Sequence, residues 1–141
     1  MYKKILKEIK VTPLKIIRLP EGNIMHALKK KELKNWSFKE AYFSKIKYGK
    51  IKAWKFHLKM TLNLVVPKGR VKFVFYSKED DHFKVIELGE KKYSRLTVPP
   101  NIWFGFKGIS KNESIILNLA NIQHDPKEIL RCTKNKIKFN W

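Results

Sequence analysis

The chain has a single cysteine, Cys132, in 141 residues. An internal disulfide is therefore excluded, and a reducing compartment such as the cytoplasm is expected. Long apolar runs are missing too: none approaches the ~18 residues that a membrane-crossing helix needs. The first ten residues, MYKKILKEIK, read as a basic arm without a signal-peptide core. Acidic residues are scarce, with 12 Asp and Glu against 32 Lys and Arg and a formal charge of +20. Arginine is scarcer still, confined to Arg18, Arg70, Arg95 and Arg131. Proteins that read phosphates or base edges rely on arginine forks as well as lysines. The lysines here are spread along the whole chain. Nucleic acid is thus a weak expectation, and a small anionic ligand such as a nucleotide diphosphate fits the charge equally well.

Familiar catalytic signatures are also lacking. No Gly-x-Ser-x-Gly, no P-loop and no Gly-x-Gly-x-x-Gly occurs. The four histidines, His26, His57, His82 and His124, include no pair two apart on one strand. Lys55 stands where the first of such a pair would be, and a protonated lysine does not ligate a metal. No metal site is expected.

What the chain does have is strand signal. Hydrophobic content of 43% supports a real core, and the length suits one domain over residues 1–141. After a first strand over 11–19 and an irregular arm over 23–34, strand-like stretches follow closely. They run over 39–47, 50–57, 60–66, 71–76, 83–88, 94–98, 103–106 and 114–120. Gly- and Pro-containing turns divide them, as at Pro67-Lys68-Gly69. Such spacing predicts an antiparallel sandwich or barrel. One or two short peripheral helices are expected, the clearer over 125–131. There Asp125 is a candidate N-cap, Pro126 occupies the favoured first position and Glu128 complements the helix dipole.

The stretch from Glu40 to Gly69 organises the rest. In a strand, residues i and i+2 share a face. Lys55 and His57 therefore project together with Ile51 and Ala53, while Lys50, Lys52, Trp54 and Phe56 fall on the other side. An imidazole titrates near neutral pH, and an ammonium beside it favours the neutral, basic form. The same ammonium stabilises an enolate. Lys55 with His57 therefore suits proton abstraction next to a ketone. On spacing alone, a solvated sheet face is the commoner reading of such a pair.

Several segments carry a resemblance. Lys52-Ala53-Trp54-Lys55-Phe56-His57 is similar to the Arg-Gly-x-His-x-His/Gln strand of the RmlC-like cupins, the dTDP-4-dehydrorhamnose 3,5-epimerases and dTDP-4-keto-6-deoxyhexose 3,4-ketoisomerases. Glu40, Tyr42 and Ser44 fall on the family's Gln-x-Asn-x-Ser strand. The segment 64–69 falls on its Val-rich strand and turn glycine. Residues 99–106 resemble Pro-x-Gly-x-x-His-Gly-Phe, and His124-Asp125-Pro126 and Asn140-Trp141 resemble its closing motifs. The departures are specific. Lys55 replaces the epimerase base, Lys52 the substrate-holding arginine, Phe104 a histidine, and Asn118 the acid tyrosine.

The resemblance implies an all-β cupin jelly roll that pairs as a homodimer, without metal or organic cofactor. It implies an epimerase or isomerase of a nucleotide-activated 4-keto sugar, of the kind used in surface-polysaccharide biosynthesis. His57 is then the candidate base, Lys55 the enolate-stabilising cation and Tyr42 the candidate acid. Lys52 faces the diphosphate, and Glu40, Ser44, Asn63 and Asn118 are candidate substrate contacts. The alternatives are a non-catalytic cupin that binds a sugar or nucleotide, and a basic nucleic-acid-binding barrel.

Overall fold

The computed structural model describes residues 4–34 and 36–141. Its strands are, in chain order, β1 (Lys10–Pro13), β2 (Ile16–Ile17), β3 (Ile24–Met25), β4 (Glu40–Ile46), β5 (Ile51–His57) and β6 (Leu62–Lys68). They continue as β7 (Arg70–Ser77), β8 (His82–Gly89), β9 (Ser94–Val98), β10 (Trp103–Gly108), β11 (Ser114–Ala120) and β12 (Ile129–Arg131). One five-stranded sheet has the order β1-β9-β6-β11-β4, and a second has β12-β5-β10-β7-β8. A small ribbon pairs β2 with β3. The sheets pack as the expected jelly-roll sandwich.

Period-two alternation builds the core. On β7, Val71, Phe73 and Phe75 are fully buried. They belong to one cluster with Leu62, Leu64 and Val66 of β6, Leu96 and Val98 of β9, and Ile116 of β11. The opposite face of β6 carries Asn63, whose Oδ1 accepts from Thr97 Oγ1 at 2.6 Å. The arm before β4 is pinned by polar contacts. Arg95 donates to Ala27 O at 2.8 Å and to Glu32 Oε2 at 3.0 Å, and Tyr93 Oη donates to His26 O at 2.8 Å.

Among the described residues the only helical pieces are 3₁₀ turns of three or four residues: Ile5–Glu8, Lys30–Glu32, Pro126–Glu128 and Lys134–Lys136. The predicted basic arm holds the first of these, and its residues 1–3 lie outside the described residues. The helix predicted over 125–131 begins as expected, with Asp125 Oδ1 accepting from Lys127 N at 3.0 Å. It stops after one turn because Ile129–Arg131 pairs with the edge of β5. A sheet edge satisfies those backbone groups where so short a helix leaves them open.

One irregularity overturns a facing assignment. Phe104 pairs with Lys55 and Phe106 with Lys52, so Ala53 and Trp54 together oppose Gly105 alone. This is a β-bulge, which inserts one residue and resets the alternation. Lys52 therefore shares the inward face with Lys55 instead of opposing it. Trp54 keeps the outer face, where its Nε1 donates to Lys134 O at 3.1 Å and Ile137 O at 3.2 Å beneath the C-terminal strap. The bulge needs a bare backbone opposite it. A Cβ on Gly105 would sit 2.5 Å from Ala53 Cβ and 2.9 Å from Lys52 O. Gly105→Ala is expected to lower stability by about 1–3 kcal/mol. Urea denaturation checks this, and an unchanged midpoint would mean that the bulge yields freely.

Candidate active site

The mouth between the two sheets holds a cavity of about 380 Å³. Its floor is apolar, built from Leu62, Leu64, Phe73 and Ile116, with Phe104 and Phe106 alongside. Its polar groups come from opposite sides. Tyr42, Ser44 and Asn118 project from β4 and β11, while Lys52, Lys55 and Arg131 project from β5 and β12. An apolar pocket with a few convergent polar groups is the usual form of a small-molecule site.

Strand register explains each placement. Glu40, Tyr42 and Ser44 are two apart on β4, and Tyr42 pairs with Asn118 across to β11. Asn118 Nδ2 donates to Tyr42 Oη at 2.6 Å. That bond uses a lone pair of the phenol oxygen and leaves its proton free for another acceptor. Burial raises the Tyr42 pKa, partly offset by the Asn118 hydrogen bond. Tyr42 therefore stays protonated at neutral pH, as an acid must. Lys52 Nζ donates to Lys45 O at 2.8 Å and lies 5.9 Å from the Phe106 ring centre. Arg131 pairs directly with Lys55, so two cations stand side by side in the cavity wall.

His57 lies behind this wall. It is 4% exposed, and its ring stacks on Phe104 with centroids 6.0 Å apart. Its Nδ1 is 2.5 Å from Glu128 Oε1. The other carboxylate oxygen accepts from Lys59 N at 3.1 Å and Met60 N at 3.2 Å, so Glu128 is held from two directions. His57 Nε2 is buried and has no hydrogen-bond partner among the described residues. Burial lowers the His57 pKa, with Lys55 and Arg131 acting in the same direction and Glu128 opposing. For Glu128, burial pushes upward, but the His57 bond and the two amides outweigh it and the net shift is down. The pair at neutral pH is thus a carboxylate accepting Nδ1–H from a neutral imidazole, whose lone pair sits on Nε2. This is the arrangement of a general base oriented by an acid.

Both folded-state pKa values lie below their unfolded values, so both groups contribute stability at higher pH that is lost as pH falls. Stability is expected to decline from pH 7 as the solution passes below the ordinary histidine value near 6.5, and again below the carboxylate range. Urea midpoints between pH 5 and 7 test this. A flat profile, or one that His57→Asn does not flatten, would contradict the assignment.

The cavity thus unites Lys52, Lys55, Tyr42, Ser44 and Asn118. Glu40 is on the same face of β4 but outside the lining, with Oε2 buried and unpartnered. Asn63 points away and is spent on Thr97. Sequence reasoning missed Glu128 as the partner of His57 and Arg131 as the neighbour of Lys55, because both depend on how β12 docks. A carboxylate and an arginine three residues apart, just after Asp125-Pro126, were the available signal. Among the described residues, no group of three or more His, Cys, Asp or Glu side chains is arranged to hold a metal ion.

Comparison with known proteins agrees with this architecture. A dTDP sugar isomerase from Desulfovibrio desulfuricans G20 superposes with a TM-score of 0.88 at 28% identity, covering 94% of this chain and 90% of that one. The dTDP-6-deoxy-D-glucose-3,5-epimerase RmlC of Legionella pneumophila Philadelphia 1, in complex with dTDP-4-keto-L-rhamnose, superposes at 0.80 with 14% identity, covering 95% and 78%. A probable low-salt glycan biosynthesis epimerase, Agl13 of Haloferax volcanii, is 28% identical over 91 residues, which is 60% of this chain and 58% of that protein. No family model matches the sequence. The chain carries the RmlC-like cupin fold, as its strand motifs implied. It is similar over nearly its whole length to a dTDP sugar isomerase. No helix among the described residues is long and apolar enough to cross a membrane.

Proposed function

We propose that the protein epimerises or isomerises a nucleotide-activated 4-keto sugar by removing a proton next to the ketone. The observation that carries this reading is the His57–Glu128 pair, with Nε2 buried and unpartnered among the described residues, stacked behind Phe104, which lines a cavity walled by Lys55 and Arg131. His57 takes the proton, and the two cations stabilise the oxyanion of the enolate. Tyr42 lies on the facing strand and returns a proton. Reprotonation of carbon on the other face inverts a centre. Reprotonation toward the hydroxyl-bearing neighbour moves the ketone. Lys52 at the rim neutralises diphosphate charge. Relatives that act on dTDP sugars or in glycan biosynthesis support the substrate class. A homodimer acting in the cytoplasm in polysaccharide biosynthesis belongs to the same reading.

Incubation with dTDP-4-keto-6-deoxyglucose, followed by NMR of the product, tests it. An inverted centre or a migrated ketone is expected. Unchanged sugar at enzyme concentrations that bind dTDP would overturn the catalytic reading.

A second reading is favoured by Phe104, which stacks on His57 and also lines the cavity. His57 itself does not line the cavity. If substrate does not reach His57, the chain is a cupin that binds a nucleotide sugar without converting it.

A further inference from the structure

Three cations enter the cavity, and only one of them has an amine free to react. Arg131 is a guanidinium, which stays charged and is no nucleophile. Lys52 Nζ is held by Lys45 O at 2.8 Å at an exposed rim. Lys55 is different. It is partly buried in the wall and has no hydrogen bond or ion pair among the described residues. Phe104, its partner across β10, gives it an apolar neighbour. Arg131, its partner across β12, gives it a like charge. The bulge adds Lys52 on the same face, and among the described residues no carboxylate lines the cavity. An amine in an apolar wall beside other cations is in the setting that activates lysine as a nucleophile.

We propose that Lys55, in place of stabilising an enolate oxyanion as an ammonium, condenses with the ketone of the bound substrate and forms a Schiff base, so that the electron sink is covalent. This rests on the reading of the cavity as an enolising keto-sugar site. The Nζ lone pair forms a bond to the carbonyl carbon as the C=O π pair moves to oxygen. A proton passes from nitrogen to that oxygen and gives a carbinolamine. A second proton lets the oxygen leave as water, and the nitrogen lone pair closes the C=N⁺ bond. When His57 Nε2 takes the adjacent carbon-bound proton, the C–H electron pair flows into the iminium and gives an enamine. Reprotonation at carbon restores the iminium. Addition of water then expels the lysine and regenerates the ketone. No oxidant or reductant enters.

Burial, and next the Arg131 charge, hold the Lys55 ammonium below the usual lysine range, with Lys52 adding to the effect and Glu128 opposing it. The free amine is therefore more populated at neutral pH than on an ordinary lysine. His57, Glu128 and Tyr42 are the other titratable groups around it, and of these only Glu128 carries charge at neutral pH.

The test has two probes. Pyridoxal 5′-phosphate, an anionic aldehyde, is added near pH 7, reduced with borohydride and located by peptide mass mapping. Lys55 is expected to be labelled well ahead of the surface lysines. Labelling spread evenly over the chain would overturn the proposal. In the second arm, dTDP-4-keto-6-deoxyglucose is reduced on the enzyme while deuterium exchange is followed in parallel. A sugar adduct on Lys55 supports the Schiff base. Exchange without an adduct overturns the Schiff base and leaves the enolising function standing. Pyridoxal labelling of Lys55 without sugar exchange supports the reactive amine and overturns the keto-sugar substrate. Lys55→Arg keeps the charge and removes the nucleophile. It is expected to slow exchange by about 100-fold, and exchange within a few-fold of the parent would show that Lys55 acts as a charge only.

Discussion

Replacing His57 with asparagine is expected to lower the rate of substrate C–H exchange by about 10²–10⁴-fold, the usual contribution of a positioned general base. The side chain is nearly isosteric at the end that meets Glu128, so a hydrogen bond to Oε1 is retained. What disappears is the lone pair at Nε2, the buried imidazole atom that has no partner. Binding of dTDP should change little, because Lys52, Lys55 and Arg131 are untouched. A variant that keeps full exchange would remove His57 from the mechanism and leave the cavity-lining groups to supply the base. A variant that loses both exchange and binding would point to collapse of the turn around Glu128. Circular dichroism and the urea midpoint separate those cases.

The second large effect is expected at Glu128. Its carboxylate is 3% exposed and satisfies His57 Nδ1 together with the amides of Lys59 and Met60. Glu128→Ala removes the acceptor for three buried or half-buried donors at once. A loss of about 2–5 kcal/mol is expected, since each buried donor left without an acceptor costs about 1–3 kcal/mol. Glu128→Gln separates stability from chemistry. Its amide oxygen still accepts from Lys59 and Met60, but its NH₂ group faces Nδ1. The imidazole then offers its lone pair at Nδ1 and carries its proton on Nε2, the wrong tautomer for a base. A fall of about 10⁴-fold in exchange with most of the stability kept is the expected signature. Equal losses from Gln and Ala, in both stability and exchange, would make Glu128 purely a structural residue.

The sequence made the strands legible because each is short, rich in β-branched and aromatic residues, and bounded by turn residues. Alternation on β6 already separated Leu62 and Leu64 from Asn63, and the structure keeps that division. The fold was legible from the order of several short motifs, each weak by itself. The site was legible only in part. Lys55 and His57 share a face because no irregularity lies between them. Lys52 was placed on the wrong face by strict alternation, since a bulge costs one residue and leaves no mark in composition. Gly105, which makes room for it, sits on a different strand. Glu128 and Arg131 were out of reach for another reason. Whether 129–131 continues a helix or joins a sheet edge depends on a tertiary partner, and local propensity favoured the helix. The family resemblance covers the Asp125-Pro126 turn, which starts the segment, and not the carboxylate at Glu128 that meets His57.

The charge of +20 acquires a local meaning in this account. Three cations converge on one cavity whose lining contains no carboxylate. A ligand carrying two phosphates and a developing oxyanion complements that cavity more fully than a neutral sugar does. The remaining lysines are dispersed and require no partner of their own.

The most direct measurement is hydrogen–deuterium exchange at the sugar carbons. The protein is incubated in heavy water with dTDP-4-keto-6-deoxyglucose, and the C3 and C5 protons are followed by NMR. The account predicts loss of signal at one or both positions, dependent on His57 and faster than the enzyme-free control. Retention of both protons at saturating protein, with line broadening that still reports binding, would contradict it and assign the chain to the non-catalytic cupins.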